Sequence, residues 1–95
     1  MLNSKERATL RALANKMPAI FHLGKEGVTP EFTAAIRDAL EARELIKIDV
    51  LNNCDWDVRA AAETVSQRTN SQVVQIIGRR FVLYRKSRKI KKGVL

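Results

Sequence analysis

The four residues Gly24-Lys25-Glu26-Gly27 combine residue types and spacing that could bind an anion. They follow a short apolar run and precede a helix start, and glycine lets a backbone approach a polyanion closely. Amide N–H groups at the start of the next helix, together with its dipole, favour phosphate oxygens. Lys25 adds a positive charge at the tip, whereas Glu26 counts against phosphate contact unless it points away. The spacing therefore predicts a phosphate-binding loop, and a purely structural turn is the alternative.

The loop belongs to none of the common nucleotide-binding types. A Walker A loop needs GxxxxGK followed by Ser or Thr, and a dinucleotide-binding turn needs GxGxxG. Neither pattern matches here, so a nucleotide-binding enzyme is a poor interpretation. A GxxG loop between a strand and a helix is, however, the arrangement with which KH domains clamp a nucleic-acid backbone.

The charge of the chain points to the same class of ligand. The 95 residues carry a formal net charge of +8. Residues 1–25 have a net charge of +4, residues 26–63 a net of −5, and residues 64–95 contain nine basic side chains and no acidic one. A small domain of this polarity predicts a polyanion partner, and a solubilising surface is the alternative. The candidate contacts from this composition are Arg79, Arg80, Arg85, Lys86, Arg88, Lys89, Lys91 and Lys92.

The remaining reactive side chains form no recognisable catalytic or metal-binding set. His22 is the only histidine and is predicted to be packed or exposed at a sheet edge. Cys54 is predicted to be an inert thiol, and a lone cysteine fits a reducing, cytoplasmic environment. Trp56 is predicted to cover the edge of the core, and Glu41 and Glu44 to lie on a solvated helix face. We expect no enzymatic activity, no metal, no cofactor and no small-molecule substrate.

The hydrophobic pattern predicts seven elements that position these residues. Asn3 and Glu6 have capping-box spacing ahead of a helix with apolar residues at Leu10, Leu13, Ala14 and Met17. Thr29 followed by Pro30 starts a second helix that runs to about Arg43. A third helix is predicted after a capping turn at Asn52–Asp55, opened by Trp56 and ending near Thr69. The predicted strands are a buried one at Ala19–Leu23, then Ile46–Val50, Val73–Ile77 and Phe81–Tyr84, the last two forming a hairpin around Gly78-Arg79-Arg80.

The order α-β-α-β-α-β-β predicts an α/β (α+β) fold. Right-handed crossovers place the second and third helices on one face of the sheet, and the hairpin adds an antiparallel strand. The result is a two-layer sandwich with a four-stranded mixed sheet. We expect one domain over residues 1–85 and a loosely ordered basic tail over residues 86–95. The sequence contains no run of about 20 apolar residues, so no membrane association is expected, and the N-terminus lacks the apolar region of a signal peptide.

The sequence resembles the YhbY-like, or CRM (chloroplast RNA splicing and ribosome maturation), domain family over about Leu2 to Arg85. The residues that carry the resemblance are Lys5-Glu6-Arg7, Leu10, Leu13-Ala14, Gly24-Lys25-Glu26-Gly27-Val28-Thr29, the stretch Ala39–Ile48, Val74–Arg80 and Val82–Arg85. Asn70 stands where the family usually has glycine, and Glu26 lies at a variable loop position. The resemblance implies a fold similar to the C-terminal domain of translation initiation factor three.

The resemblance also implies a function and a site. It implies an RNA-binding protein of the stand-alone bacterial type, associated with ribosomal RNA in precursors of the large ribosomal subunit. The implied RNA surface comprises the loop Gly24–Gly27 and the basic residues of the first helix, which here are Lys5, Arg7, Arg11 and Lys16. We expect a monomer. The alternatives are an architectural DNA-binding protein of the Alba-like kind and a module that docks on an assembly factor.

Overall fold

Three helices and four strands follow one another in the predicted order. The computed structural model describes residues 2–90 and 93–95, so the predicted contacts Lys91 and Lys92 lie outside the described residues. The elements are α1 (Ser4–Asn15), β1 (Phe21–Leu23), α2 (Pro30–Arg43), β2 (Leu45–Val50), α3 (Val58–Thr69), β3 (Gln72–Ile77) and β4 (Arg80–Tyr84).

Capping residues set the starts of the helices. Asn3 and Glu6 form the predicted capping box, because each side chain accepts a hydrogen bond from the backbone N–H of the other. Thr29 caps α2 ahead of Pro30, as predicted. The third cap is Asp57, which accepts from the N–H of Ala60. The prediction that Trp56 opens α3 is therefore wrong, since Trp56 precedes the cap.

The first strand is shorter and more exposed than its sequence predicts. The apolar run Ala19–Leu23 predicts a buried strand, whereas β1 begins at Phe21 and lies at the edge of the sheet. His22 is exposed, and Ile20, which precedes the strand, donates its N–H to the Lys47 carbonyl and packs against the core. A continuous apolar run cannot distinguish an edge strand from a central one, because it shows only that both faces can be covered.

The sheet has the strand order β1-β2-β4-β3. β1 pairs with β2 in parallel, and β4 pairs antiparallel with both β2 and β3. The register of β3 against β4 shifts between Val73 and Gln75, as in a β-bulge. β2, β3 and the short β1 therefore point one way. Their carboxyl ends define one end of the sheet, here called the hairpin end, where the β3–β4 turn also lies.

The helices lie on opposite faces of this sheet. The larger core unites α2 and α3 with Ile46, Ile48, Phe81 and Leu83. The smaller core is formed by Leu10 and Ala14 of α1 with Leu45, Val74, Val82 and Tyr84, which occupy the alternate positions of their strands. The predicted fold class and the shared face of α2 and α3 are confirmed. The sequence did not specify which face of the sheet the first helix covers. It forms a further layer over half of the face opposite α2 and α3, and that whole face is here called the α1 face.

Candidate nucleic-acid interface

The loop Gly24–Gly27 is a tight turn at the hairpin end. The N–H of Gly27 donates to the carbonyl of Gly24 over 3.0 Å, which closes a four-residue β-turn with Lys25 and Glu26 at its exposed tip. Gly27 has a φ of 69°, in the left-handed region that glycine adopts without strain. Both charged side chains therefore project together, so the loop presents a cation beside an anion.

The two glycines have different surroundings. A Cβ on Gly27 would overlap the indole ring of Trp56, whereas a Cβ on Gly24 would meet its nearest neighbour, Leu51, at an ordinary 3.6 Å. Trp56 also packs against the larger core, which confirms its predicted role as a cover for the core edge. The fold therefore requires glycine at position 27, which agrees with the alternative that the loop is a structural turn. The surroundings of Gly24 impose no such requirement.

The start of α2 offers fewer free amides than the sequence predicts. Pro30 has no N–H, and the N–H groups of Phe32 and Thr33 already donate to the side-chain and backbone oxygens of Thr29. Glu31 adds a negative charge in the first turn. A pocket of about 270 Å³ beside the loop is lined by both glycines, Lys25, Phe32 and the exposed His22. Binding at this pocket would depend on side chains and loop amides rather than on the helix dipole.

The hairpin arginines lie at the same end of the sheet as the loop but are partly engaged. Arg79 donates through Nε to the carbonyl of Val50 and through Nη2 to that of Leu51, so it ties the hairpin to β2. The side chain of Arg80 is 61% exposed, and its Nε lies 3.7 Å from Oδ1 of Asp49 on the neighbouring strand β2. An exposed pair at this distance is weak, so Arg80 can readily contact a phosphate.

The basic residues of α1 divide into free and engaged side chains. Lys5, Arg11 and Lys16 are exposed. Arg7 is half-buried and donates through Nη1 to the carbonyls of Val73, at 2.9 Å, and Val74, at 3.5 Å. The structure therefore gives Arg7 a role in holding β3 where its register shifts, in addition to the predicted RNA contact.

Beyond α1, the half of the α1 face nearest the hairpin is uncovered. His22, Asp49 and Arg80 stand in one cross-strand row there, because His22 is in register with Asp49 and Asp49 with Arg80. Ile77, in register with Arg80, is 54% exposed. Helical spacing places Arg11 four residues after Arg7 on the same flank of α1. The open half of the sheet and α1 thus share one side of the molecule, and the loop lies at the hairpin end of the same sheet, where the chain crosses from β1 to α2.

The C-terminal basic residues lie at the other end of the sheet. β4 runs from Arg80, at the hairpin end, to Tyr84, opposite Leu45 at the start of β2. Four residues of strand, about 13 Å, separate the two positions. The basic candidates that the sequence assigns to RNA binding are therefore divided between opposite ends of the strands.

Arg85 has a structural role. Its guanidinium donates to the carbonyl of Thr69 at 2.8 Å, to that of Arg37 at 3.3 Å and to the Glu41 carboxylate at 3.1 Å. These bonds join the carboxyl ends of α2 and α3, where Asn70, which stands in place of the family's usual glycine, adopts the left-handed conformation. Predicting Glu41 as a solvated side chain is therefore wrong, because it is half-buried and paired with Arg85.

Glu44 departs furthest from its prediction. It ends α2 with a φ of 66° and is only 1% exposed. Its carboxylate accepts hydrogen bonds from the N–H of Ser87, at 2.6 Å, and from that of Val94, at 2.9 Å. Because Ser87 is itself buried, the prediction of a loosely ordered tail is wrong for this segment. The sequence contains one sign that Glu44 is unusual, because α2 runs directly into β2 there without a glycine at the junction.

The ionisation of Tyr84 is shifted by its surroundings. Burial raises the pKa of its phenol above the usual 10.0, and the carboxylates of Glu44 and Glu6 add to the shift in the same direction. Tyr84 and Phe81 face opposite sides of the sheet, as predicted, and both are buried. Neither offers a stacking platform for a base.

The acidic and reactive side chains of the described chain are dispersed. Within residues 2–90 and 93–95, no three His, Cys, Asp or Glu side chains converge as a metal site would require. No helix in the same residues has the length and apolar character needed to span a bilayer.

Comparison with known proteins relates the chain to one family. The CRS1 / YhbY (CRM) domain model matches residues 2–85. The chain is 44% identical over 91 residues to the Bacillus subtilis (strain 168) protein named "Probable RNA-binding protein YqeI", covering 96% of this chain and 95% of that protein. It is 32% identical over 90 residues to an RNA-binding protein of Haemophilus influenzae, covering 95% and 91%.

A solved structure has the same architecture. The solution structure of a hypothetical Staphylococcus aureus protein, for which RNA binding has been suggested, superposes with a TM-score of 0.79 at 44% identity. The match covers 96% of this chain and 95% of the other.

Proposed function

Since the chain belongs to the CRS1 / YhbY (CRM) domain family, we propose that it is a non-enzymatic RNA-binding protein acting in the cytoplasm. Its RNA is ribosomal RNA in precursors of the large ribosomal subunit, bound during assembly. The family resemblance supports this choice of RNA, and the names of the relatives support RNA as the ligand.

One observation carries the proposed interface. The sheet separates α1, with an excess of basic side chains, from α2, which has three acidic and two basic ones. The exposed cations Lys5, Arg11 and Lys16 therefore lie on the same side as the open sheet surface and Arg80. A polyanion is attracted to that side without meeting the acids of α2.

In this interface the loop and the α1 face have complementary roles. Lys25 and the loop amides contact the sugar-phosphate backbone, and Gly24 lets it approach closely. The cations of α1 neutralise further phosphates and release counterions. Recognition is by backbone shape, since Phe81 and Tyr84 are buried and offer no platform on which bases could stack.

A charge reversal in the loop tests this function. Lys25→Glu should lower the affinity for a structured ribosomal RNA fragment at least tenfold, because it places two carboxylates at the loop tip. The matched control is Arg59→Glu, which makes the same change in charge at an exposed position on α3. Affinity is measured by fluorescence anisotropy at several salt concentrations, and each phosphate contact steepens the slope of log K against log salt by roughly 0.7–0.9.

Three outcomes decide between the proposal and its alternatives. A flat salt response, or equal loss in both variants, would contradict the loop interface. Preference for duplex DNA over structured RNA would favour the architectural DNA-binding alternative. Failure to sediment with large-subunit precursors in a ribosome gradient would remove the ribosomal part and leave RNA binding in place.

A further inference from the structure

The end of the sheet opposite the loop has its own group of cations. Lys86, Arg88 and Lys89, here called the C-terminal basic cluster, are all exposed. They border a concavity of about 510 Å³ together with Glu41, Asn70 and Arg85. Arg85 offsets the one acid at this concavity, since it pairs with Glu41. The cluster is thus a concave, net positive surface at the carboxyl ends of α2 and α3.

The cluster is held in place by the buried carboxylate of Glu44. One oxygen accepts from Ser87, which lies between Lys86 and Arg88, and the other accepts from Val94. Gly93 passes so close that a Cβ there would lie 2.7 Å from Glu44 Oε1. The carboxylate therefore holds the segment at one point within the cluster, Ser87, and at one point beyond it, Val94.

Ser87 adds a second attachment. Its hydroxyl donates to the carbonyl of Glu41 and accepts from the N–H of Lys89 over 3.0 Å. Ser87 is thereby bonded to the end of α2, and the backbone after Arg88 is bonded to Ser87. A basic segment that is ordered before binding loses less conformational entropy when a ligand immobilises it.

We propose that the C-terminal basic cluster is a second phosphate-binding site, separate from the loop, and that one molecule holds two segments of RNA backbone at once. This inference rests on the proposed RNA-binding function. The ligand is RNA rather than an acidic peptide because the fold already presents an RNA surface on the α1 face, and a neighbouring RNA segment is then available to the cluster.

The two cation groups are separated along the sheet, which suits two segments of RNA backbone. About 13 Å of β4 lies between Arg80 and Tyr84, and the cluster opens beyond the end of that strand. On the α2 and α3 face the path between the ends passes Glu31, Asp38 and Glu63, which are exposed acids. A single strand following that path would meet negative charge, whereas two neighbouring RNA helices would each meet a cation group.

A bridging assay tests the proposal. One short RNA stem-loop is immobilised, and a second, fluorescent copy is captured only if the protein holds both. The wild-type protein should capture it. Variants with Lys25→Glu, or with Lys86→Ala, Arg88→Ala and Lys89→Ala together, should each reduce capture at least tenfold while still binding one stem-loop in solution.

Mixing the two variants distinguishes a two-site molecule from a dimer. If each molecule has two sites, a mixture of the variants captures no second stem-loop. If capture arises from dimers that each use one site per molecule, the mixture restores it and the proposal is wrong. Capture that is unchanged in the triple variant also overturns the proposal. Failure of the wild-type protein to bind any RNA would instead contradict the proposed function.

The positioning role of Glu44 has a separate readout. Glu44→Gln replaces one acceptor with a donor, and Gly93→Ala pushes the segment away from the carboxylate without touching α2. Both should reduce capture and accelerate trypsin cleavage after Arg88, while Lys25-dependent binding of one stem-loop persists. Unchanged capture together with faster cleavage would show that the ordering of the cluster is irrelevant to binding.

Discussion

Gly24 and Gly27 have the same place in the sequence motif but different physical reasons to be glycine. Gly27 needs both a positive φ and an absent side chain, because Trp56 occupies the space where a Cβ would lie. Gly24 needs neither. The pattern therefore contains one structural and one potentially functional glycine.

Alanine at each position separates these roles. Gly27→Ala should lower the free energy of unfolding by about 1–3 kcal/mol, the usual cost of a strained backbone conformation. Gly24→Ala should leave it nearly unchanged and weaken RNA binding. Urea unfolding and RNA anisotropy measure the two effects, and a stability loss at Gly24 equal to that at Gly27 would refute the distinction.

At the same scale, the sequence identifies residues whose role is local and misses those whose role is long-range. Asn3 and Thr29 bond within a few residues of themselves, so spacing alone predicts them. Glu44 and Ser87 bond across 43 residues, and their partners cannot be inferred from neighbours in the chain.

At the scale of elements, α1 has a second attachment besides its apolar stripe. Arg7 reaches the carbonyls of β3 where the register against β4 shifts. A shifted register leaves backbone groups without ladder partners, and a guanidinium with several donors can satisfy them. This places Arg7 among the residues that hold α1 to the sheet.

Arg7 and Arg11 should therefore respond differently to alanine. Arg7→Ala should destabilise the fold by about 1.5 kcal/mol, the lower end of the range for a hydrogen bond from a charged group, since the side chain is only half-buried. Arg11→Ala should leave stability unchanged. Thermal or urea unfolding compares them, and equal stability of the two variants would mean that the contact with β3 contributes nothing.

At the scale of the whole molecule, the sheet separates the basic first helix from the acidic second helix. The basic N-terminal residues and the acidic middle of the chain are adjacent in sequence, yet α1 and α2 lie on opposite faces. The sequence shows the blocks of charge but not this separation. The separation depends on the side of the sheet on which α1 packs, which periodicity alone does not specify.

Removal of two charges from either face tests the separation. Arg11→Ala with Lys16→Ala should weaken RNA binding and reduce the salt slope by roughly 0.7–0.9 for each phosphate that is no longer neutralised. Arg37→Ala with Arg59→Ala, which removes two exposed cations from α2 and α3, should have little effect although the net charge is the same. Equal weakening by the two pairs would show that total charge, not its location, governs binding.

The strand order has a consequence for how the chain acquires its structure. β4 is the last strand in chain order, yet it lies between β2 and β3 and contributes Phe81 and Leu83 to one core and Val82 and Tyr84 to the other. Until β4 has been synthesised, β2 and β3 have no shared neighbour, and neither core can close. Such non-local pairing delays folding. Neither core can therefore close until β4 has left the ribosome, and the helices expose apolar surface until then.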